Sequence, residues 1–173
     1  VSRGFGMNSD ELATRVVLLR PDGVLKQEKW LNSGSFGVTI DSNYSYLHTL
    51  SGLIRNDKYL LSASLKVDTS SVFSRLFYEL DSNLNLLRYN IVDTINERFM
   101  GYVRMKECKD DILMTGFDFI YTNGVFNGRL GYLDDSLNEK TKVLYNTSDS
   151  IYIRIVHDVL VDDKKQIYLF GNG

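Results

Sequence analysis

Two histidines, His48 and His157, are the side chains most readily placed in acid–base or metal chemistry near neutral pH. They fall in "YLHTLSGLI" and "YIRIVHDVLV", which read as corresponding strands of a repeated unit. Counting back from Tyr59 and Ile167 puts them at offsets of 11 and 10, so their relative face stays open. Two imidazoles without a third ligand do not make a zinc site, so no metal is expected. They stand as binding candidates, beside the plainer reading of solvated or hydrogen-bonded histidine. Glycoside hydrolysis would need two carboxylates across a sugar, one with a raised pKa. Asp118 in "GFDFIY" and Glu79 in "FYEL" have the apolar neighbours such an acid requires, although pairing with an arginine such as Arg75 accounts for either equally well.

Other chemistries find less support. The chain lacks a nucleophile elbow, a P-loop and a dinucleotide fingerprint, and "RGFG" has no strand and helix around it. The "DDSLNE" stretch has acids without the spacing of a calcium loop. No Ser-x-Asp-x-Gly-x-Thr-Trp box is present, and Trp30 sits in no such context. Asn43 and Asn146 open glycosylation sequons that matter only in a eukaryotic secretory route. Tyr44 and Tyr46 in "NYSYLH" could stack on a sugar or a partner, or fill gaps between sheets. No cofactor site and no catalytic residue emerge, and an enzymatic role has no signature to rest on.

A formal charge of −2, with 20 basic residues scattered among 22 acidic ones, excludes a broad nucleic-acid surface. No apolar run approaches the roughly 18 residues of a membrane helix, and "VSRGFGMNSDELATRV" lacks the apolar core of a signal peptide. The absence of an initial Met is expected of a processed or partial chain. Cys108 is the only cysteine, so no intrachain disulfide can form. Alanine, the best helix former, occurs twice (Ala13, Ala63), against 11 Tyr, 9 Phe and many Val, Ile and Leu. The composition is all-β, with at most one short helix at "NSDELAT", N-capped by Ser9.

The elements that would position these residues repeat. "VLLRPDGVLKQEKWLN", "FYELDSNLNLLRYNIV" and "LGYLDDSLNEKTKVLY" each read as strand, tight turn, strand. Matching Pro21, Asp81 and Asp134 sets Gly23 beside Asn83 and Ser136 as the left-handed turn residue. Strands "KYLLSAS", "DILMTGF" and "QIYLFGN" repeat as well, each after a charged turn. Tyr59 to Ile112 is 53 residues, Ile112 to Ile167 is 55, and Asp81 to Asp134 is 53. Four short antiparallel strands in such a period match a propeller blade. The expected order is strands C–D of one blade at 15–32, a blade at 46–92, a blade at 99–146, and strands A–B at 151–172. Apolar residues at both parities in "SRLFYEL" and "RVVLL" fit strands covered on both faces. This is about three blades' worth, and propellers close with about four to eight, so a larger propeller is expected. The polar insertion 33–45 is the expected interaction surface, removable without loss of folding.

The strands ending in "LLSAS" or "ILMTGF", followed by "LD-S-L-N" hairpins, resemble the propeller repeats of secreted and envelope proteins of Bacteroidetes. The resemblance implies export, surface display, and O-glycosylation where Asp-Ser/Thr precedes an apolar residue, at Thr94, Ser136 and Ser150. The expected function is a secreted or surface-associated binding platform for a protein or glycan. The alternatives are a carbohydrate-active enzyme with most catalytic acids elsewhere, and a structural part of a secretion or virion assembly.

Overall fold

A computed structural model of the chain describes residues 2–5, 12–38, 46–66, 74–92, 98–108, 111–120, 125–145, 155–164 and 166–172. The strands are β1 (Ser2–Phe5), β2 (Leu12–Leu19), β3 (Leu25–Leu31), β4 (Tyr46–Arg55), β5 (Lys58–Lys66), β6 (Ser74–Leu80) and β7 (Leu86–Val92). They continue with β8 (Arg98–Cys108), β9 (Asp111–Ile120), β10 (Val125–Leu133), β11 (Glu139–Tyr145), β12 (Ile155–Val161) and β13 (Ile167–Asn172). The all-β expectation holds: the described residues form no α-helix and only one 3-10 turn, Ser33–Phe36. Of the helix expected at "NSDELAT", Leu12–Thr14 instead open β2, and 8–11 lie outside the described residues.

Strands β4 to β7 make one antiparallel meander and β8 to β11 another. Before them, β2 pairs with β1 and β3, and a single parallel bridge, Leu12 to Tyr46, joins this group to β4. After them comes the β12–β13 hairpin. These four sheets are numbered one to four here.

The sheets stack face to face, and the side-chain alternation explains why both parities are apolar. On sheet two, Leu61, Ala63, Leu76, Tyr78 and Leu80 point back onto Val16 and Leu31 of sheet one. Leu60 and Phe77 point forward onto Tyr102, Met105, Ile112 and Met114 of sheet three. The forward face of sheet three puts Leu113 and Leu130 against Val159 of sheet four. Strand registers align Val16, Phe77 and Leu130, which fill the same forward position in three successive sheets. Burying each such side chain contributes about 1.5–3 kcal/mol, which an isolated hairpin could not obtain. Hydroxyls stitch the layers: Thr14 Oγ1 donates to the Leu47 carbonyl (3.0 Å) and Ser62 Oγ to the Tyr102 carbonyl (3.0 Å).

The hairpin turns correct the sequence alignment by one residue. The amide of Gly23 donates to Arg20 O (2.9 Å), that of Leu84 to Asp81 O (3.0 Å), and that of Leu137 to Asp134 O (3.0 Å). The left-handed residues are therefore Gly23 (φ 81°), Leu84 (φ 59°) and Leu137 (φ 64°), not Asn83 and Ser136. A left-handed leucine costs about 1–2 kcal/mol. Both leucines are buried, Leu84 in the core behind sheet two and Leu137 in that behind sheet three, and this burial offsets the strain. Asp81 Oδ1 accepts from the Asn83 and Asn85 amides, and Asp134 Oδ1 from those of Ser136 and Asn138.

The insertion also differs from expectation. Asn32 and Ser35 form a capping box, and Gly37 ends the turn with φ 68°. Phe36, 1% exposed, packs edge-on against Tyr78 (5.1 Å) and Tyr89 (5.5 Å). Residues 33–38 thus contribute to the core and are not a removable loop, while 39–45 lie outside the described residues.

Candidate functional site

The first strand of sheets two, three and four carries a bulge at the same place. Register shifts between Thr49 and Ser51, Tyr102 and Arg104, and Val156 and Asp158 leave Leu50, Val103 and His157 as the extra residues. A bulge re-aims the side chain beside it and is enriched near binding sites. The residues that follow are polar: Ser51, Arg104 and Asp158. Arg104 Nε lies 3.9 Å from Asp158 Oδ1, with both side chains half-exposed, so the pair contributes little to stability and leaves Arg104 available.

Between the first two bulges lies a cleft of about 330 Å³. It is lined by Thr49–Gly52 of β4, Leu61 of β5, and Arg104 and Met105 of β8. Apolar side chains, a serine hydroxyl and one guanidinium can seat a carboxylate or sulfate group, or sugar hydroxyls. Thr49 Oγ1 is already bonded to Thr14 Oγ1 (3.3 Å) and Tyr78 Oη (2.8 Å), which fixes its side of the cleft.

A buried ionic cluster joins sheets two and three. Glu139 of β11 receives Arg75 of β6 on Oε2, and on Oε1 both Arg129 Nη2 of β10 (2.7 Å) and Tyr102 Oη of β8 (2.5 Å). Arg129 Nε also donates to Tyr102 Oη (2.6 Å), and its guanidinium lies over the Tyr102 ring at 5.2 Å. Arg75, Glu139 and Arg129 side chains are 7%, 7% and 1% exposed. Two guanidiniums sharing one carboxylate in a dry interface persist only when charge and hydrogen bonds are well matched. Gly131 makes the geometry possible: a Cβ there would collide with the Tyr102 hydroxyl. The cluster holds β8 in place immediately before its bulge, and so positions Arg104.

The residues singled out from sequence do not converge. His48 pairs with Ser64 inside β4, whereas His157 is an exposed bulge residue of β12. The bulges align His157 with Leu50, so the two histidines are not equivalent. Tyr46 opens β4, opposite Lys66; Tyr44, Thr94 and Ser150 lie outside the described residues. Ser136 is exposed in the β10–β11 turn. Glu79 receives both Arg88 Nε (2.6 Å) and Arg88 Nη2 (2.8 Å), and this bidentate bond holds its carboxyl below the usual range. It is therefore no raised-pKa acid, and its partner is Arg88, because Arg75 is held by Glu139. Asp118 pairs with Met100 and Asn127 across β9. Among the described residues no three His, Cys, Asp or Glu side chains gather as a metal site.

Sequence reasoning missed Arg104 and the cluster. A signal existed for the latter: "SRLF" and "GRLGYL" put arginines inside strands apolar at both parities, where a cation needs a partner. No protein-family model matches the chain, and no curated protein is significantly similar to it. Its function has to be argued from fold and site.

Proposed function

We propose that the chain is a partial β-propeller that acts as a rigid, non-enzymatic binding platform for a protein or glycan, on a secreted or surface-displayed protein. The cleft between β4 and β8 is the proposed seat for an acidic or hydroxyl-rich group of that partner. The observation that carries this reading is the recurrent bulge, which presents Ser51, Arg104 and Asp158 from rigid sheets at one level. Stacked meanders of equal strand order support the blade reading. The buried ionisable groups support a role without catalysis, since Glu79 and Glu139 are committed to fixed arginine partners.

The test is binding to a panel of sulfated, uronic-acid and neutral glycans and of acidic proteins, comparing the native chain with Arg104→Glu. Loss of an anionic partner, with the melting temperature unchanged, supports the reading. Binding that ignores Arg104→Glu, or turnover of a panel member, overturns it.

A further inference from the structure

The guanidinium that lines the cleft lies within reach of a carboxylate of the protein itself. Among the described residues that line the cleft, Arg104 alone carries a charge. Its Nε is 3.9 Å from Asp158 Oδ1 on the next sheet. That is an ion pair without a hydrogen bond, since N–H···O bonds close at about 2.7–3.2 Å. It is also well inside the screening length of about 8 Å at physiological ionic strength, so the two charges act on each other in salt. The Arg104 side chain is 60% exposed and that of Asp158 50%, which leaves both open to a ligand. Arg104 keeps this openness with sheet four stacked in front of sheet three, so it belongs to the interior of the repeat.

Asp158 is held where it stands. Its Oδ1 accepts from the Val159 amide (2.8 Å), and Val159 is fully buried between sheets three and four. The bulge sets its level: Asp158 follows His157 as Arg104 follows Val103 and Ser51 follows Leu50. The scaffold thus delivers a carboxylate at the position where sheet three delivers a guanidinium and sheet two a serine. A half-exposed pair of this kind does little for stability, and its effect falls on whatever else seeks the guanidinium.

We infer that Asp158 is a specificity-determining residue of the cleft, a built-in competitor for the Arg104 guanidinium that holds down its affinity for carboxylate and sulfate groups. This inference rests on the binding reading above. An anion entering the cleft has to draw Arg104 away from Asp158 and meets the repulsion of that carboxylate, whereas an uncharged hydroxyl meets neither. Such a repulsive element is a general route to specificity. The cleft therefore retains an acidic group only where further contacts, such as one to Ser51, add to the guanidinium.

The test is isothermal titration calorimetry of the folded chain with four probes: a sulfated disaccharide, a uronic-acid disaccharide, a glutamate-rich peptide and a neutral disaccharide. Asp158→Asn keeps an Oδ1 acceptor for the Val159 amide and removes the charge. It is expected to raise affinity for the anionic sugars or for the peptide about two- to fivefold, the probe that gains naming the source of the anion, and to leave the neutral sugar unchanged. Asp163→Asn, in the exposed turn after β12, changes the net charge equally and is expected to do nothing. In an Arg104→Gln background Asp158→Asn is expected to add nothing, because the competition acts on that guanidinium. The inference is overturned by anion affinities that Asp158→Asn leaves unchanged, or by an absence of anion binding in both the native and the Asp158→Asn chains. A gain shared by the neutral sugar or by Asp163→Asn, or one that persists without Arg104, overturns it too. Where Arg104→Glu abolishes anion binding and Asp158→Asn changes nothing, this inference falls and the binding reading stands; anion binding indifferent to Arg104→Glu removes the reading itself. If Asp158→Asn loses its β-sheet circular dichroism, Asp158→Ser makes the same comparison.

Discussion

Replacing Glu139 by Gln keeps the shape of the buried cluster and removes a negative charge that Arg75 and Arg129 share. Both guanidiniums are nearly inaccessible to water, so solvent cannot take over the role of the carboxylate. Hydrogen bonds to charged groups contribute about 1.5–3 kcal/mol each, and removing one partner of a buried ion pair costs about 3–5 kcal/mol. The expected loss is about 3–5 kcal/mol. For a chain of this length it lowers the melting temperature by roughly 6–20 °C, at about 2–4 °C per kcal/mol. Urea unfolding followed by far-ultraviolet circular dichroism measures it directly. A second variant separates charge from packing: Arg75→Met, Arg129→Leu and Glu139→Leu together, with Tyr102→Phe, replace the whole cluster by apolar groups. That set is expected to be close to wild type in stability, because no charge then has to be desolvated. A loss below about 1 kcal/mol for Glu139→Gln, or an apolar set no more stable than Glu139→Gln, refutes the assignment of the cluster as the electrostatic lock between sheets two and three.

Three further outcomes follow from the fold. Leu84→Gly relieves about 1–2 kcal/mol of left-handed strain but removes a buried side chain worth about 2–5 kcal/mol, so urea unfolding should show a net loss of up to about 4 kcal/mol; a stabilised variant would mean the turn, not the core, selects the residue. Phe36→Ala should cost about 3–5 kcal/mol in the same assay, whereas a removable loop would tolerate it. Acid stability depends on carboxyls held low in the folded state: Asp81 by the Asn85 amide, Asp134 by the Asn138 amide and Glu79 by Arg88. Their contribution is complete above the unfolded carboxylate range of about 4 and is lost as the pH falls through the lower folded values. Urea midpoints should therefore hold from pH 7 to about 5 and drop below about 4, with a shallower drop in Asp81→Asn with Asp134→Asn; an identical acid limb in that variant would contradict the turn geometry.

The legible part of the fold is what depends on neighbours along the chain. Hairpins at Gly23, Asp81 and Asp134, and strands apolar at both parities, are local patterns, and the stacked sheets follow from them. What was misread came from a local rule outweighed by packing. A turn prefers Gly or Asn in the left-handed position, which favours Asn83 as the counterpart of Gly23 and, with Asp134 matched to Asp81, brings the poorer-fitting Ser136 along. Leu84 and Leu137 hold that position because the core gains more than the backbone loses.

The site was illegible for a different reason. A one-residue bulge at Leu50, Val103 and His157 shifts the face of every residue beyond it, and nothing in composition marks an extra residue. The offsets of 11 and 10 leave the face of the two histidines open; His157 is itself the bulge residue of β12, whereas His48 lies two residues before that of β4. Arg75, Tyr102, Arg129 and Glu139 come from four strands in two sheets, so their meeting depends on how sheets stack and not on any spacing. In a stack of repeats, then, identical positions build the scaffold, and function has to be sought where the copies differ. The polar residues after the bulges differ in every copy, as serine, arginine and aspartate, although the backbone beneath them does not. That contrast is why Arg104, rather than either histidine, is the residue on which the binding reading turns.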